Sequence, residues 1–374
     1  MKKYYRSALV ASGISAALIG SVLLAPVQAA DASTATSLKD FGSFAALEKA
    51  CKDEGQLNVI ALQRDWANWG ELIDTFIRKY PTVNVDQQKP GASSAEELQA
   101  IRSLKGSNRA PDVVDVGLAA ADQGAKEGLF TPYKVQTWDS IAGVKEKSGL
   151  YYADYGGTMS IGYDANRVKV APKSIKDLSN PIYKNQVALN GNPTTAGAAL
   201  NAMFAISVSA KGAAGLNDIQ SGINVVSNWK KNRIFVPIEA DGATVANGQT
   251  PITLDWDYLQ NAYSTGTKKV NWKVVVPSDA IIGGYYYQAV SKTAPNPACA
   301  RLWMEWIYSD AGSNLWLASG ATPSRYADMV KRGVANKKYA ARIPKLPAGA
   351  KVLTPSLTQQ VKARNTLIKN WGKI

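Results

Sequence analysis

Histidine is absent from the 374 residues of this sequence, and its absence excludes several classes of enzyme and metal site. A chain without histidine has no Ser-His-Asp or Cys-His catalytic group, no His-ligated zinc and no imidazole general base. The glycine-rich phosphate loops G-x-x-x-x-G-K-S/T and G-x-G-x-x-G are also missing. We therefore predict that the protein is not an enzyme and carries neither a cofactor nor a metal.

Dense blocks of positive charge are lacking as well, although the formal net charge is +14. The lysines are scattered, and no helical pattern carries cations and aromatic residues at the spacing that reads a nucleic-acid groove. This distribution is typical of a basic soluble surface. The sequence therefore predicts no nucleic-acid partner.

Only one apolar run is long enough to suggest a membrane segment, and it lies near the N-terminus. It follows the basic start M-K-K-Y-Y-R and ends at V-Q-A-A, where Val27 and Ala29 match the −3 and −1 positions of a cleavage site. Glycine and serine interrupt the run, which favours a cleaved signal peptide (1–29) over a membrane anchor. Cleavage near Ala29 would remove three cations, lower the net charge to +11 and release the protein into the periplasm.

Cysteine is scarce, with one residue early in the chain and one late. Cys51 lies in the helical pattern A-A-L-E-K-A-C-K, and Cys299 lies in P-A-C-A-R-L-W-M-E-W. An exported protein can keep a disulfide. Two alternatives stay open here, a bridge between these cysteines or two free buried thiols.

The sequence is rich in short apolar strand patterns that alternate with amphipathic helical patterns. The strand patterns L-N-V-I-A-L, V-N-V-D-Q-Q and A-P-D-V-V-D-V-G are separated by helical patterns at 71–80 and 90–104. A serine pair followed by two glutamates (93–97) gives the second helix a capping pattern. Such alternation predicts an α/β protein with a mostly parallel sheet and covering helices.

About 345 residues remain after the signal peptide, which is more than a single core usually holds. Two extended, aromatic-rich stretches at 151–164 and 271–290 predict crossovers between two lobes. We expect lobe 1 to comprise 30–154 and 284–374, and lobe 2 to comprise 155–283. Because ligands of open α/β sheets bind beyond the carboxyl ends of strands, we expect a cleft lined by the residues at those ends. They are Arg64, Asp65, Trp66, Asp115, Asn190, Gly191, Asn192, Asp255, Trp256 and Asp257.

The ordered set of motifs along the chain resembles the extracellular solute-binding proteins of ABC importers. The resemblance rests on E-G-Q-L-N-V-I-A-L-Q-R-D-W-A-N-W, R-A-P-D-V-V-D-V-G, E-G-L-F-T-P-Y-K-V, I-T-L-D-W-D-Y and N-P-A-C-A-R-L-W-M-E-W, and it covers nearly the whole mature chain. Within these proteins, the sequence is most similar to the type II group associated with uptake of spermidine/putrescine, ferric iron or aminophosphonate. The resemblance implies a periplasmic binding protein type II-like fold, in which two α/β lobes joined by two crossover strands close on a ligand. It also implies transient delivery of that solute to a membrane permease, and we expect the receptor to be a monomer.

The aspartates and aromatic residues at the strand ends suit an ammonium group. Asp255 and Asp257 would supply carboxylates, while Trp256 and Tyr258 would supply aromatic faces, because charge pairing and cation–π contact both favour a cation. Trp66, Trp69, Tyr155 and Tyr285 are further candidate faces. The resemblance implies the same arrangement for a polyamine such as spermidine or putrescine. In the alternative, one aspartate caps a helix that starts at Tyr258, and Trp256 belongs to the core.

Two Ser/Thr-rich helix starts point instead to an anion. They contain Ser93 and Ser94 in P-G-A-S-S-A-E-E, and Thr194 and Thr195 in N-P-T-T-A-G-A-A. Free N–H groups and the helix dipole favour a phosphonate, phosphate or carboxylate at such positions. Ordinary N-capping is the alternative. A zwitterion such as 2-aminoethylphosphonate would satisfy both the acidic and the helix-start signals.

Two further functions stay open at this point. Tyr285, Tyr286 and Tyr287 are similar to the neighbouring tyrosines of ferric binders, but adjacent residues of a strand point to opposite faces. Paired carboxylates in a cleft are also found in secreted glycosidases. The two-lobed pattern favours a binding protein over that enzyme.

Overall fold

The computed structural model describes residues 31–266, 270–346 and 349–374, so the predicted signal peptide lies outside the described residues. The fold is α/β, with two lobes joined by crossover strands, as the sequence predicts. The strands are β1 (Gln56–Ile60), β2 (Asn84–Gln88), β3 (Val113–Gly117), β4 (Phe130–Thr131), β5 (Tyr152–Asp164), β6 (Val187–Leu189), β7 (Ile252–Trp256), β8 (Trp272–Val275), β9 (Gly283–Ser291) and β10 (Thr322–Pro323).

Thirteen α-helices are found in the described part of the chain. They are α1 (Phe44–Glu54), α2 (Trp69–Lys79), α3 (Ser94–Ser103), α4 (Leu118–Lys126), α5 (Gly197–Lys211), α6 (Ile219–Lys231), α7 (Gly242–Asn247), α8 (Asp257–Gly266), α9 (Pro297–Ile307), α10 (Asp310–Ser319), α11 (Tyr326–Lys331), α12 (Lys337–Ala340) and α13 (Leu357–Asn370). Short 3₁₀ helices lie at Leu38–Phe41, Trp138–Ser140, Lys176–Ser179, Pro181–Tyr183, Gly212–Asn217 and Trp371–Lys373.

The first lobe is built on strands β2, β1 and β3, which run parallel as the strand–helix alternation predicts. Strand β9 returns antiparallel to β3, and short strand β4 pairs with β9. The capping pattern that precedes α3 is confirmed, because both the backbone N–H and the hydroxyl of Ser93 donate to Glu96 at 2.8 Å. That cap fixes the start of α3 at one edge of the sheet.

The second lobe carries the parallel pair β6 and β7, and β5 runs antiparallel to β7 and β8. Helix α5 is buried along most of its length, with Met203, Phe204 and Ile206 fully enclosed. Together with the following 3₁₀ turn it forms Gly197–Asn217, which is the one described helix long and apolar enough to cross a membrane. Its burial among the lobe's own elements identifies it as a core helix.

Two strands join the lobes. Strand β5 pairs with β9 through its first half and with β7 through its second half. A Cβ atom on Gly156 would lie 2.0 Å from the carbonyl oxygen of Gly284, so these glycines allow the two crossovers to touch. The return stretch predicted at 271–290 is not one strand, since it divides into β8 and β9. The lobe boundaries at 154/155 and 283/284 stay predictions.

A disulfide joins Cys51 of α1 to Cys299 of α9, which settles the alternatives in favour of the bridge. Both residues are fully buried in the first lobe. Beside the bridge, Trp303 of α9 stacks on Trp69 with the ring centroids 5.9 Å apart. The bridge therefore fixes a late helix, α9, against the first helix of the lobe.

Helix α13 packs against α4 of the first lobe and against α5 and α6 of the second. The segment before it crosses beside the start of β9, where the backbone N–H of Leu353 donates to Ile281 and the N–H of Gly283 donates to Leu353. A third part of the chain thus passes between the lobes, in addition to the two crossover strands.

Candidate functional site

A cavity of about 370 Å³ lies between the lobes, at the carboxyl ends of the strands. The first lobe contributes Ala61, Gln63, Trp66, Gly91, Ala92, Ser93, Ser94, Glu96, Glu97 and Asp115. The second lobe contributes Asn190, Gly191, Asn192, Thr195, Ala196, Gly197, Ala198, Glu239, Ala240, Asp241, Tyr258 and Leu259, while Tyr155 and Tyr286 come from the crossover strands. This volume falls in the range of small-molecule binding sites.

Asp115 and three tyrosines form the deep part of the cavity. The hydroxyl of Tyr155 donates to Asp115 Oδ2 at 2.8 Å, while Asp115 Oδ1 is buried without a hydrogen-bond partner. Tyr286 stacks on Tyr155 with the centroids 5.7 Å apart, and Tyr258 packs edge-on to Tyr155 at 5.5 Å. The Tyr258 hydroxyl also lacks a partner. The deep end therefore combines a carboxyl group with aromatic rings, while Asp115 Oδ1 and the Tyr258 hydroxyl are themselves buried from the cavity surface.

Burial controls the ionisation of the carboxyl groups at the deep end. Desolvation raises the pKa of Asp115 to about 7, although the hydrogen bond from Tyr155 opposes that rise. Burial and the neighbouring Asp115 charge hold the pKa of Glu97 well above its usual range. Desolvation and Asp115 do the same to the pKa of Asp154, which lies on the far side of Asp115. A cation in the cavity would stabilise the ionised form of these groups.

The outer walls of the cavity add more carboxylates. Glu96 lies on the first-lobe wall, and Glu239 and Asp241 lie on the second-lobe wall. Hydrogen bonds from Ser93 hold the pKa of Glu96 below its usual range, so that carboxylate is charged at neutral pH. No lysine or arginine is among the described residues that line the cavity. The field inside the cleft therefore favours a positively charged ligand.

The start of α5 adds backbone N–H groups, rather than carboxylates, to the second-lobe wall. Its N-cap residue is Ala196, which has no side chain that can bond the first N–H groups of the helix. Gly197 and Ala198 at this start line the cavity, and Gly197 approaches Gly117, the N-cap of α4, so closely that a Cβ on either would be crowded. The first amides of α5 therefore offer donors to a ligand.

Ten of the predicted site residues are brought together in the cavity. They are Trp66, Ser93, Ser94, Asp115, Tyr155, Asn190, Gly191, Asn192, Thr195 and Tyr258. Ser94 lines the wall, but its hydroxyl already accepts the N–H of Gly117 at 3.0 Å. The sequence signal that located these residues was their position at strand ends and helix starts.

The other seven do not line the cavity. Arg64 is exposed and forms an ion pair with Asp74, Asp65 accepts a hydrogen bond from Gln63, and Thr194 lies behind the wall in a separate small cavity. Helix α5 begins at Gly197, so Thr194 and Thr195 precede its first turn. The remaining four are Asp255, Trp256, Asp257 and Tyr285.

The D-W-D stretch has a structural role in this conformation. Asp255 accepts from Asn190 at 2.7 Å, from Tyr263 at 2.9 Å and from the N–H of Trp256 at 2.7 Å, so both of its oxygens are occupied. Asp257 is the first residue of α8 and accepts both the hydroxyl and the N–H of Thr158. Trp256 is buried and stacks on Tyr258. The alternative of a helix start beside a core tryptophan describes this stretch better than the ligand-binding prediction.

The tyrosine triplet is divided between two faces of β9, as strand alternation requires. Tyr286 lines the cavity, Tyr287 packs edge-on to Tyr151, and Tyr285 lies against Gly143 and Ala153. Tyr285 and Tyr286 therefore do not form a neighbouring pair of phenol groups in the cleft.

Sequence reasoning missed most of the other lining residues, of which the polar ones are Gln63, Glu96, Glu97, Glu239, Asp241 and Tyr286. Glu239 and Asp241 follow no strand or helix signal, since they lie in the irregular connection before α7. The one available signal was at Asp241, which caps α7 by accepting the N–H of Thr244 at 2.7 Å.

The chain is similar to known proteins both in its family and in its fold. A family model described as bacterial extracellular solute-binding protein matches residues 108–345. No protein of curated function matches the chain by sequence.

Solved structures share the fold at low sequence identity. The periplasmic binding protein AfuA from Actinobacillus pleuropneumoniae, with exogenous fructose-6-phosphate bound, is 18% identical with a TM-score of 0.66, over 85% of this chain and 98% of that one. AgtB from A. tumefaciens R10, in complex with agropinic acid, is 15% identical with a TM-score of 0.67 over the same shares. The ferric binding protein from Campylobacter jejuni is 15% identical with a TM-score of 0.62, again over 85% and 98%. These similarities show the fold, while the three proteins are described with three different ligands.

Proposed function

The chain belongs to the bacterial extracellular solute-binding protein family, and on that premise we propose that it captures a small cationic solute in the periplasm for an ABC importer. The lobes close on the solute, and the closed form presents one joint surface to the membrane permease. The best candidate ligand is a polyamine-like amine such as spermidine or putrescine. The receptor acts as a monomer, and its contact with the permease is transient.

The charge of the cavity lining is the observation that carries this proposal, because carboxylates lie on both walls and no lysine or arginine is among the described lining residues. Asp115 is the carboxyl group at the deep end, where it accepts the hydroxyl of Tyr155. An ammonium group would donate a charge-assisted hydrogen bond to it, and the rings of Tyr155, Tyr258 and Tyr286 would offer aromatic faces. The outer carboxylates of Glu239 and Asp241 support a second positive group farther along the same ligand.

A zwitterion is the second candidate, because α5 begins without a side-chain cap at the cavity wall. A phosphonate or carboxylate at Gly197 and Ala198 would accept the first amides of the helix. Its amine would still pair with Asp115. An anion without an amine is less suitable, since carboxylates line both walls of the cleft.

Ferric iron has less support from the arrangement. Burial raises the pKa values of Tyr155, Tyr258 and Tyr286, which disfavours phenolate ligands at these positions. Among the described residues, no three His, Cys, Asp or Glu side chains cluster in a way that could hold a metal ion.

A thermal-shift panel tests the proposed ligand class. The mature protein is melted with spermidine, putrescine, 2-aminoethylphosphonate, phosphate or ferric citrate at equal excess. A ligand at about 100 times its dissociation constant adds about 2.7 kcal/mol to the free energy of unfolding, so a true ligand raises the melting temperature visibly. We expect a rise with the polyamines. A rise with phosphate or ferric citrate and none with any amine would contradict the proposal, and turnover of an aryl glycoside by the same preparation would support the enzymatic alternative.

The affinity for a cation should increase with pH through neutrality. Burial raises the pKa of Asp115 to about 7, so below that pH the ligand must expel a proton before it can pair with the carboxylate. We expect the dissociation constant to fall by up to tenfold per pH unit between pH 5.5 and 7, and to level off above about pH 7.5. Calorimetry at several pH values measures both this change and the released proton. An affinity that is flat over this range would show that Asp115 does not pair with the ligand.

A further inference from the structure

Helix α13 packs against both lobes, next to the wall of the ligand cavity. The guanidinium Nε of Arg364 donates to the carbonyl oxygen of Thr194 at 3.3 Å, just before α5 of the second lobe. Its Nη1 donates to Gln123 Oε1 on α4 of the first lobe. One partly buried side chain thus links α4 to the segment before α5, and the starts of these two helices meet beside the ligand cavity.

The rest of α13 is fastened mainly to the second lobe. The side chain of Gln359 donates to Asn217 at 3.1 Å, and that of Asn370 donates to Gln220 at 2.9 Å. Leu367 is fully buried. Arg364 therefore links α4 of the first lobe to the segment before α5 of the second.

The starts of α4 and α5, the two helices that Arg364 links, have no free space between them. A Cβ atom on Gly117 would lie 3.2 Å from the Cα of Gly197, and Gly197 lines the ligand cavity. Gly117 is in turn held by Ser94, another lining residue. A change in the distance between α4 and α5 would therefore alter the width of the ligand site directly.

We propose that Arg364 is a positioning residue for ligand binding, which stabilises the closed arrangement of the lobes by linking α4 to α5 without touching the solute. The residue lines the small cavity behind the wall and does not line the ligand cavity. It acts on the equilibrium between open and closed lobes, so it affects every ligand of the cleft by the same factor. Of the tests below, only the affinity measurements rest on the proposed function, because they need a ligand.

The substitution Arg364→Met keeps the apolar stem and removes both hydrogen bonds. We expect it to weaken all ligands that bind by an equal factor, between about threefold and tenfold, with most of the change in a faster dissociation rate. Lys362→Met is the matched control, since Lys362 is exposed on the same helix. Arg364→Lys can keep one of the two bonds and should restore part of the affinity. A loss confined to cationic ligands would overturn the proposal, because it would show that the charge of Arg364 acts on the ligand directly.

The ligand-free protein gives an independent measurement. Small-angle X-ray scattering should show a larger radius of gyration for Arg364→Met than for the parent protein and Lys362→Met, because the open form is more populated. The variant Gln123→Ala should produce the same increase, and the double variant should add little to either single change. If no solute binds in the thermal-shift panel, the proposed function fails while this comparison still stands. An unchanged radius of gyration for Arg364→Met would overturn the proposal.

Discussion

Replacing Asp115 by asparagine should reduce the affinity for a cationic solute by at least about 30-fold. Removing one partner of a buried, hydrogen-bonded charge pair typically costs 2–5 kcal/mol, and each 1.4 kcal/mol is a factor of ten in affinity. The asparagine can still accept the hydroxyl of Tyr155, but it carries no negative charge to pair with an ammonium group. Isothermal titration calorimetry of the best ligand from the thermal-shift panel measures the loss.

The stability of the ligand-free protein should change in the opposite direction. The folded-state pKa of Asp115 is raised to about 7, above the value near 3.9 of an unfolded chain. The native state therefore binds the proton more tightly, and this residue lowers stability as pH rises from about 4 to 7. Asp115→Asn removes that penalty, so the ligand-free melting temperature at pH 8 should stay equal or increase. A large decrease would mean that Asp115 serves mainly the fold.

Asp255→Asn is the matched control for this prediction. Desolvation also raises the pKa of Asp255 to about 7, and the residue is likewise buried near the end of a strand, β7 of the second lobe. Its oxygens, however, are occupied by Asn190, Tyr263 and a backbone N–H. We expect ligand affinity to change by less than about threefold. Equal losses in both variants would show that the sequence-based assignment of Asp255 to the ligand was right.

The fold was predictable because it depends on local patterns. Strand–helix alternation, the Ser93–Glu96 capping box and the extended stretches at 151–164 are each visible within a short window. Asp115 was also predictable, since it lies near the end of a strand that runs parallel to its neighbour β1.

The site was less predictable because its chemistry depends on partners distant in sequence. Nothing near Asp255 in the chain reveals that Asn190, 65 residues away, occupies its carboxylate. Alternation along β9 correctly separates Tyr285 from Tyr286, but it does not say which of the two faces the cleft. Glu239 lies in an irregular connection, where no periodicity applies. The sequence therefore located the cleft better than the atoms that would touch a ligand.

Opening the Cys51–Cys299 disulfide should lower the free energy of unfolding of the first lobe by about 3–5 kcal/mol. The two cysteines are separated by 248 positions, so the bridge closes a very long loop and removes many conformations from the unfolded chain. The variant Cys51→Ala/Cys299→Ala should therefore unfold at a clearly lower guanidinium concentration, as followed by tryptophan fluorescence. Reduced parent protein is the control, because it lacks the crosslink but keeps both sulfur atoms and so leaves no cavity.

Ligand affinity gives the second half of this prediction. The bridge joins α1 to α9 within the first lobe, and neither cysteine lines the cavity. Crosslinking within one lobe leaves the balance between open and closed lobes unchanged, so the double variant should bind its solute within about twofold of the parent protein wherever it is folded. If the bridge mattered for closure, the double variant would instead bind its solute more weakly even at guanidinium concentrations well below its unfolding transition. The two variants should therefore differ in a measurable way. The double cysteine variant should lower stability without affecting binding, whereas Arg364→Met should weaken binding because it releases the lobes.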